Sequence, residues 1–238
     1  MQAIILCAGF GTRLKPLTDS IPKAMVPIAG KPLLERNIEQ YKKFGITEFL
    51  INLHYLPDAI KDYFGDGSRW GVKITYKYEN PILGTAGAIK NFEKELGDVF
   101  FLSYGDVLSF ADYGSLLKAF LEEPDAIGIE TVGETTHPHD SDLAEVDGNL
   151  KFIKIYRKPH ENIPEKYKSM RGLYVFKKEI TNYIPAGEYH EIDHELLPEI
   201  LSKGISFYGH ETGGYIKDIG TPERYKKAQE DFEKLTRV

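Results

Sequence analysis

The sequence predicts an α/β protein with a Rossmann-like, open, mostly parallel β-sheet, helices on both faces and a small additional β lobe. In the first half of the chain, short apolar runs alternate with amphipathic stretches of helical length, an order that implies right-handed βαβ crossovers. The runs are apolar enough for strands buried on both faces. A hairpin pattern at residues 143–156 departs from this alternation and predicts the β lobe.

Each element follows from a local pattern. The helix predicted over Pro32–Phe44 has apolar residues at helical spacing and stops at Gly45, and a later helix has Pro57 in its first turn. Thr221 provides an N-cap for the last helix, which starts at Pro222. Strands are predicted at residues 3–6, 48–53, 73–78, 99–102, 126–131, 173–176 and 205–208, and a last strand ends at about residue 218. Further helices are predicted at residues 57–64, 113–122, 179–184 and 194–203, and one more helix follows the loop after residue 78 and ends at about residue 96.

Length and composition limit the function. A chain of 238 residues can bury one large core or a core with a small lobe, and we expect a single domain over residues 1–238 without an appended domain. A net charge of -6 disfavours general nucleic-acid binding. Cys7 is the sole cysteine, which excludes an internal disulfide and fits a reducing compartment, so we expect a cytoplasmic protein. No leader and no apolar run of membrane-spanning length are visible in the sequence.

The most informative segment is Leu6–Lys23, which reads LCAGFGTRLKPLTDSIPK. Its glycines let the backbone leave the first strand with N–H groups able to face an anion. A dinucleotide fingerprint would need a third glycine where Leu14 stands, and Pro16 opposes the helix that should follow. A Walker loop would need Gly-Lys-Ser/Thr after the turn. A tight turn without a ligand remains open, as does a triphosphate site served by Arg13 and Lys23.

Two later segments also follow strands. The loop beginning at Glu79 reads ENPILGTAGA, which is compatible either with close backbone packing or with a base-binding site. Asp106 follows a central strand, where an aspartate is often only a turn residue. His137 and His139 lie in a polar stretch without a nearby third metal ligand, so we interpret them as part of an exposed loop, and we interpret His190 and His194 as solvated charge.

The segment from Leu6 to Lys23 resembles the signature of the sugar-1-phosphate nucleotidyltransferases, and the similarity extends over nearly the whole chain. The loop PILGTAGA most resembles the mannose-1-phosphate and heptose-1-phosphate guanylyltransferase branch. The resemblance implies transfer of a nucleotidyl group from a nucleoside triphosphate, GTP being favoured, to a sugar 1-phosphate, with Mg²⁺ as cofactor. From the net charge and the apolar pattern we expect no nucleic-acid or membrane partner, and a homo-oligomer is a possible form of the protein.

Residue roles are carried over by position. Arg13 and Lys23 are the implied catalytic residues, and Asp106 and Asp218 the implied metal ligands. The implied nucleotide-binding residues are Leu6, Ala8, Gly9, Gly11, Thr12, Arg13, Glu79, Gly84 and Thr85. The implied sugar-phosphate-binding residues are Gly105, Asp142, Arg157, Lys158, Arg171 and Gly172, with Lys158 holding the incoming phosphate.

The chain departs from the family pattern on the acceptor side. Arg157 stands in place of the glutamate of Glu-Lys-Pro, Arg171 precedes Gly172 where a small or amide residue is usual, and Asp142 lies near a customary glycine. These changes predict an acceptor with an anionic or strongly polar group beyond its 1-phosphate, unless the arginines face solvent or pair with Glu161, Glu165 or Asp142. The alternative functions are cytidylyl or uridylyl transfer to another or a non-sugar phosphate, and an inactive nucleotide-binding regulatory subunit.

Overall fold

The structure is a computed structural model and describes residues 1–160 and 162–235. The strands are β1 Gln2–Leu6, β2 Pro27–Ile28, β3 Lys31–Pro32, β4 Glu48–Leu53, β5 Lys73–Tyr78, β6 Val99–Tyr104, β7 Val107–Ala111, β8 Gly128–Gly133, β9 Leu143–Val146, β10 Phe152–Tyr156, β11 Lys168–Lys177, β12 Phe207–His210 and β13 Gly214–Asp218. The α-helices are α1 Leu33–Lys43, α2 Pro57–Phe64, α3 Gly84–Asn91, α4 Tyr113–Glu122, α5 Leu197–Ser202 and α6 Pro222–Leu235.

These elements form two compact units, which are described separately. Unit 1 contains Met1–Ile82, Ser103–Ala111 and the described residues from Gly214 onward. Unit 2 contains Leu83–Leu102 and Asp112–Gly213. None of the helices within the described ranges is long and apolar enough to cross a membrane.

The main sheet of unit 1 is parallel. Strand β4 pairs with β1 on one side and with β5 on the other, with Leu6 opposite Asn52 and Leu53 opposite Tyr78. The carboxyl ends of the three strands therefore lie along one edge, where polar groups that follow them can meet. Helix α1 buries an apolar face over Leu33, Leu34, Ile38 and Tyr41, as its spacing predicts.

A second sheet in unit 1 is an antiparallel ribbon of β7 and β13, in which Val107 lies opposite Asp218. The sequence pattern does not predict β7. The ribbon is fixed by an apolar core, which it shares with α6 and the segment after β1; the buried members are Leu14, Val26, Ile28, Leu33, Leu108, Ile219, Ala228 and Phe232. Burial of a large apolar side chain contributes roughly 1.5–3 kcal/mol to the free energy of folding, so this core stabilises the ribbon.

Unit 2 has mixed strand pairing. Strand β8 pairs in parallel with β12 and antiparallel with β11, which in turn pairs with β9 and lies beside β6. The predicted hairpin is present as β9 and β10. Its turn is held by Asp147, whose carboxylate accepts the N–H groups of Asn149 at 2.8 Å and Lys151 at 2.9 Å. The α/β class predicted from the sequence is confirmed, and antiparallel pairs occur in both units.

Several predicted boundaries are wrong. Helix α3 ends at Asn91 rather than near Leu96, because the Phe92 N–H divides between the carbonyls of Ala88 and Ile89 and the chain tightens into turns. Strand β11 begins at Lys168, ahead of the strand predicted at 173–176. The helix predicted at 179–184 is a 3₁₀ helix, Lys178–Tyr183, and the one predicted at 194–203 is a π-helical turn followed by α5.

Candidate active site

The turn after β1 is shaped by one glycine with a positive φ. Gly11 has a φ of 65°, and its carbonyl accepts the Thr18 hydroxyl at 2.8 Å. A Cβ at this position would lie 3.0 Å from Thr18 Cγ2 and 3.2 Å from Lys23 Cβ, so a larger residue would disturb both segments. Thr12 and Arg13 follow in an exposed 3₁₀ turn that is anchored by the buried Leu14.

Lys23 and Asp106 form an ion pair across two loops of unit 1. Gly105 brings Asp106 to this position, because its N–H donates to the Leu6 carbonyl at 2.9 Å. A Cβ on Gly105 would lie 2.5 Å from the Leu6 oxygen and 2.8 Å from Cys7 Sγ. Close packing therefore accounts for the glycine, and its predicted contact with sugar phosphate stays a prediction. Burial and the charge of Asp106 raise the pKa of the Cys7 thiol, which disfavours a thiolate here.

Asp218 reaches the same region through the ribbon of β7 and β13. The Ile219 N–H donates to the Asp106 carbonyl at 2.9 Å, so the backbones that carry the two aspartates are hydrogen-bonded neighbours. Asp218 Oδ1 accepts the Gly220 N–H at 3.0 Å and Arg224 Nη1 at 2.8 Å. Burial opposes ionisation of Asp218, but the hydrogen bond and charge of Arg224 outweigh it and hold the pKa of this carboxyl below its usual value.

Gly220 marks the point where the predicted residues converge. A Cβ placed on it would lie 2.8 Å from Asp218 Oδ1, 3.2 Å from Arg13 Nη2 and 3.4 Å from Lys23 Nζ. With the ion pair between Lys23 and Asp106, this geometry joins four side chains of unit 1: two from the segment after β1, one from the turn after β6 and one from the end of β13. We call Arg13, Lys23, Asp106 and Asp218 the charged cluster. The sequence analysis missed Arg224, whose only signal is its position in the first turn of a helix that follows Asp218.

The charged cluster has the donor chemistry that Mg²⁺ uses. Magnesium prefers hard oxygen ligands and commonly takes only one or two protein carboxylates, together with water and substrate phosphates. Asp106 and Asp218 supply two carboxylates on hydrogen-bonded neighbouring segments, so they fit such an ion. Within the described residues there is no group of three or more His, Cys, Asp or Glu side chains that could hold a metal by itself. Assignment of the ion as Mg²⁺ stays a prediction.

Glu79 is buried instead of presenting its carboxylate at the surface. It is 2% exposed, and its Oε1 accepts the Asn52 amide at 3.0 Å. Asn52 Oδ1 in turn accepts the Cys7 N–H at 2.8 Å, which ties the end of β5 to the turn after β1. The Glu79 side chain thus stabilises the turn after β1 through Asn52, and its buried carboxylate does not face solvent.

The loop of Gly84 and Thr85 lies in unit 2 and is packed against the segment before α5. The His190 carbonyl accepts the N–H groups of Ala86 at 2.9 Å and Gly87 at 3.1 Å. A Cβ on Gly84 would lie 2.5 Å from that carbonyl oxygen, and the Thr85 hydroxyl accepts the Ile192 N–H at 2.8 Å. Close packing of small residues is therefore present at this loop, and its role in binding a nucleotide stays a prediction.

Five of the six predicted acceptor-side residues, all except Gly105, lie in unit 2, where Asp142 links Lys158 to His194. Its carboxylate accepts the Lys158 N–H at 3.0 Å, lies 3.3 Å from Lys158 Nζ and contacts His194 Nε2 at 3.3 Å. His194 also lies 2.9 Å from Glu191. The interpretation of His194 as solvated charge is wrong, because its side chain is mostly buried between two carboxylates. His190 is also mostly buried, and its Nδ1 lies 3.7 Å from Glu195.

The two acceptor-side arginines differ in their surroundings. Arg157 is exposed, whereas Arg171 is half-buried on strand β11 beside Gly172. Asp142 pairs with Lys158 and His194 rather than with either arginine. Within 1–160 and 162–235, no carboxylate pairs with the guanidinium of either arginine, and Glu161 lies outside the described residues.

The charged cluster defines an enzyme class by its chemistry: it is suited to moving a phosphate-bearing group, since two cations and two carboxylates converge without an activated protein nucleophile. A family model described as "Nucleotidyl transferase" matches residues 2–234. The chain belongs to this family.

Individual relatives differ in their named substrates. The chain is 32% identical to the mannose-1-phosphate guanylyltransferase of Mycobacterium tuberculosis over 234 residues, covering 98% of this chain and 64% of the relative. It is also 32% identical to the N-acetylmuramate alpha-1-phosphate uridylyltransferase of Neisseria meningitidis, covering 96% of this chain and 97% of the relative. The chain spans less than two thirds of the length of the mycobacterial relative and of other curated relatives that it matches.

A solved structure shares the fold. HddC from Yersinia pseudotuberculosis superposes with a TM-score of 0.80 at 29% identity, covering 97% of this chain and 99% of that chain. A second structure of HddC is a complex with GMP-PN. The predicted fold class and the predicted family are both confirmed.

Proposed function

We propose that this protein transfers a nucleotidyl group from a nucleoside triphosphate to a sugar 1-phosphate. The observation that carries the proposal is the convergence of Arg13, Lys23 and Asp218 around Gly220, with Asp106 paired to Lys23. In the reaction, an oxygen of the sugar 1-phosphate attacks the α-phosphorus, the bond to the β-phosphate oxygen breaks, and pyrophosphate leaves. The attacking oxygen is already anionic, so no side chain has to remove a proton from it.

The residues of the charged cluster would then act on charge and alignment. Arg13 would bind the triphosphate, and Lys23 would stabilise the negative charge that develops on the transferring phosphoryl group. Both anions must be held in line despite their mutual repulsion, which is the largest obstacle to this reaction. A magnesium ion held by Asp106 and Asp218 would supply Lewis-acid stabilisation of the triphosphate when bound.

Lys23 has to exchange partners for this role. In the structure its ammonium is paired with Asp106, and Asp218 is paired with Arg224. Lys23 would leave Asp106 for the phosphate oxygens of the substrate, while Asp106 and Asp218 would hold the metal ion and Arg224 would favour the ionised form of Asp218. The two ion pairs therefore fit an enzyme without bound substrates, in which the side chains of Lys23 and Arg224 are held close to the positions where they would act.

Guanine is the base that we propose, with uracil as the alternative. The support is the complex of HddC with GMP-PN and the name of the mycobacterial relative, whereas the Neisseria relative is named for uridylyl transfer. Because the Glu79 side chain is buried, we do not assign its carboxylate a contact with the base.

Lys158 is the group that we propose for the acceptor's 1-phosphate. Its ammonium lies close to the Asp142 carboxylate, and this ion pair would have to break when the ammonium binds a phosphate. The full-length Neisseria relative is named for N-acetylmuramate, a sugar acid, and this supports an acceptor with a second anionic group. A cytoplasmic location and a homo-oligomeric form stay predictions.

A substrate matrix tests the proposal. Purified protein with Mg²⁺ is incubated with GTP, UTP, CTP, dTTP or ATP against mannose, glucose, heptose or N-acetylmuramate 1-phosphate, and pyrophosphate release is measured. We expect release only when both substrates are present, and the highest rate with GTP. A highest rate with a pyrimidine triphosphate would refute the base assignment, and absence of release from every pair would favour the regulatory-subunit alternative.

A further inference from the structure

Strand β11 is interrupted opposite β8 by a bulge at Arg171, Gly172 and Leu173. Met170 lies opposite Val132 and Tyr174 opposite Glu130, so three residues of β11 face only Thr131. Gly172 has a φ of 71°, which favours glycine. Bulges of this kind redirect side chains and are frequent beside functional sites.

The bulge is fastened by the buried Glu130. Its Oε1 accepts two backbone N–H groups, from Arg171 and Gly172, both at 2.9 Å. Its Oε2 is also buried and has no hydrogen-bond partner among the described residues. Burial and the neighbouring Asp193 raise the pKa of Glu130 well above its usual value, and the hydrogen bonds from the Gly172 and Arg171 N–H groups offset only part of this effect.

Gly133 on β8 provides the space for the Arg171 side chain. A Cβ on Gly133 would lie 2.1 Å from Arg171 Nη2 and 2.4 Å from Cζ, so the guanidinium occupies the volume that any other residue would fill. This half-buried guanidinium has no carboxylate partner in the part of the chain that the structure describes. A fixed, half-buried and unpaired arginine is suited to an anionic ligand, since it presents five N–H donors in one plane.

The position of the bulge connects Arg171 with the acceptor-side lysine. The preceding residue, Met170, donates its N–H to the Asp142 carbonyl at 3.0 Å. The Asp142 carboxylate in turn holds the Lys158 side chain at 3.3 Å. Arg171 therefore directly follows a residue that is hydrogen-bonded to the segment positioning Lys158. Arg157, in contrast, is exposed.

We propose that Arg171, seated by Glu130 and Gly133, binds a second anionic group of the acceptor, a carboxylate or a phosphate distinct from the 1-phosphate. The inference rests on the proposed function, because it extends the acceptor site around Lys158. Glu130 and Gly133 are positioning residues: Glu130 fixes the backbone of Arg171, and Gly133 leaves room for its guanidinium. Together they make acceptor charge a determinant of specificity.

Equilibrium binding tests this proposal without requiring turnover. Glucose 1-phosphate, glucuronic acid 1-phosphate and glucose 1,6-bisphosphate are titrated calorimetrically into the protein, so that the last two probes separate a carboxylate from a phosphate. Loss of a charge-assisted hydrogen bond typically changes affinity on the order of tenfold to a hundredfold. We expect at least one doubly anionic probe to bind more tightly than glucose 1-phosphate by that factor.

The matched variants are Gly133→Ala and Gly148→Ala, because a Cβ on Gly148 meets nothing within 4 Å. Gly133→Ala should abolish the preference for the second anion and leave glucose 1-phosphate binding within about threefold, and Gly148→Ala should retain the preference. Arg171→Ala should abolish it too, and the double variant Gly133→Ala/Arg171→Ala should lose no more than Arg171→Ala. Glu130→Gln, which keeps an acceptor for the two N–H groups, should preserve more of the preference than Glu130→Ala.

The outcomes separate the inference from the proposed function. Equal binding of all three probes by the wild type, or an unchanged preference in Gly133→Ala with intact folding by circular dichroism, would overturn the inference. If the second anion is preferred and the preference is lost in Gly133→Ala, the inference holds even where no pyrophosphate is released. Failure of the substrate matrix would then count against nucleotidyl transfer alone.

Discussion

The most discriminating test of the charged cluster is the addition of one methyl group at Gly220. The new Cβ would lie 2.8 Å from Asp218 Oδ1, whereas ordinary contacts begin at 3.4 Å, so the carboxylate has to move by about 0.6 Å. A misplacement of about 1 Å in an active site can cost on the order of a hundredfold in rate, which makes a loss of roughly tenfold to thirtyfold the expectation for Gly220→Ala. Lys23 Nζ, at 3.4 Å, would be in ordinary contact and should move little.

The assay is steady-state pyrophosphate release at saturating substrates over a titration of MgCl₂. Because Asp218 takes most of the displacement, Gly220→Ala should lower kcat and raise the Mg²⁺ concentration needed for half-maximal rate. Gly148→Ala is the matched control, since it makes the same chemical change where the space is open. A Gly220→Ala enzyme with wild-type rate and wild-type Mg²⁺ dependence would refute the convergence of these side chains during turnover.

Three further predictions concern single charges. Arg13→Ala and Lys23→Ala should remain folded by circular dichroism and lose on the order of a hundredfold or more in rate, and a near-normal rate in either would remove that residue from the phosphate site. Asp106→Asn and Asp218→Asn should each raise the Mg²⁺ requirement sharply, and a titration like that of the wild type would exclude the substituted residue from metal binding. The pKa of Glu130 is raised in the folded state by burial and by Asp193, so its contribution to stability is complete below the unfolded pKa and is lost as pH rises towards the folded pKa. Thermal unfolding should therefore show the Tm of the wild type falling relative to Glu130→Gln from about pH 4.5 upward, and parallel pH profiles would contradict this.

Much of the fold follows from local pattern. Strands β1, β4 and β5 are continuous apolar runs, and α1 repeats its apolar residues at helical spacing, so hydrophobic burial alone specifies them. The local pattern does not predict strand β7. Only two residues separate Val107–Ala111 from β6, and one of them, Asp106, is typical of a turn that ends a strand. Its partner β13 is remote in sequence, and no local pattern reports such a pairing.

The site shows the same division between local and remote information. Arg13, Lys23, Asp106 and Asp218 were each assigned from short motifs, and the structure brings them together in unit 1. Arg224, Glu130 and Gly133 could not be assigned in this way, because their roles depend on what packs against them. Glu79 shows the converse: its motif was visible, but the burial of its carboxylate depends on Asn52 from a neighbouring strand.

The ribbon of β7 and β13 has a consequence for the order in which the protein becomes functional during synthesis. Strand β7 emerges from the ribosome long before β13, and until then Asp106 has no neighbouring segment to complete the pair of carboxylates. Closing so long a loop is also entropically costly and slow compared with local folding. A nascent chain that has made β1 to β12 therefore still lacks the second carboxylate of the charged cluster, which is present only once the chain has reached Asp218.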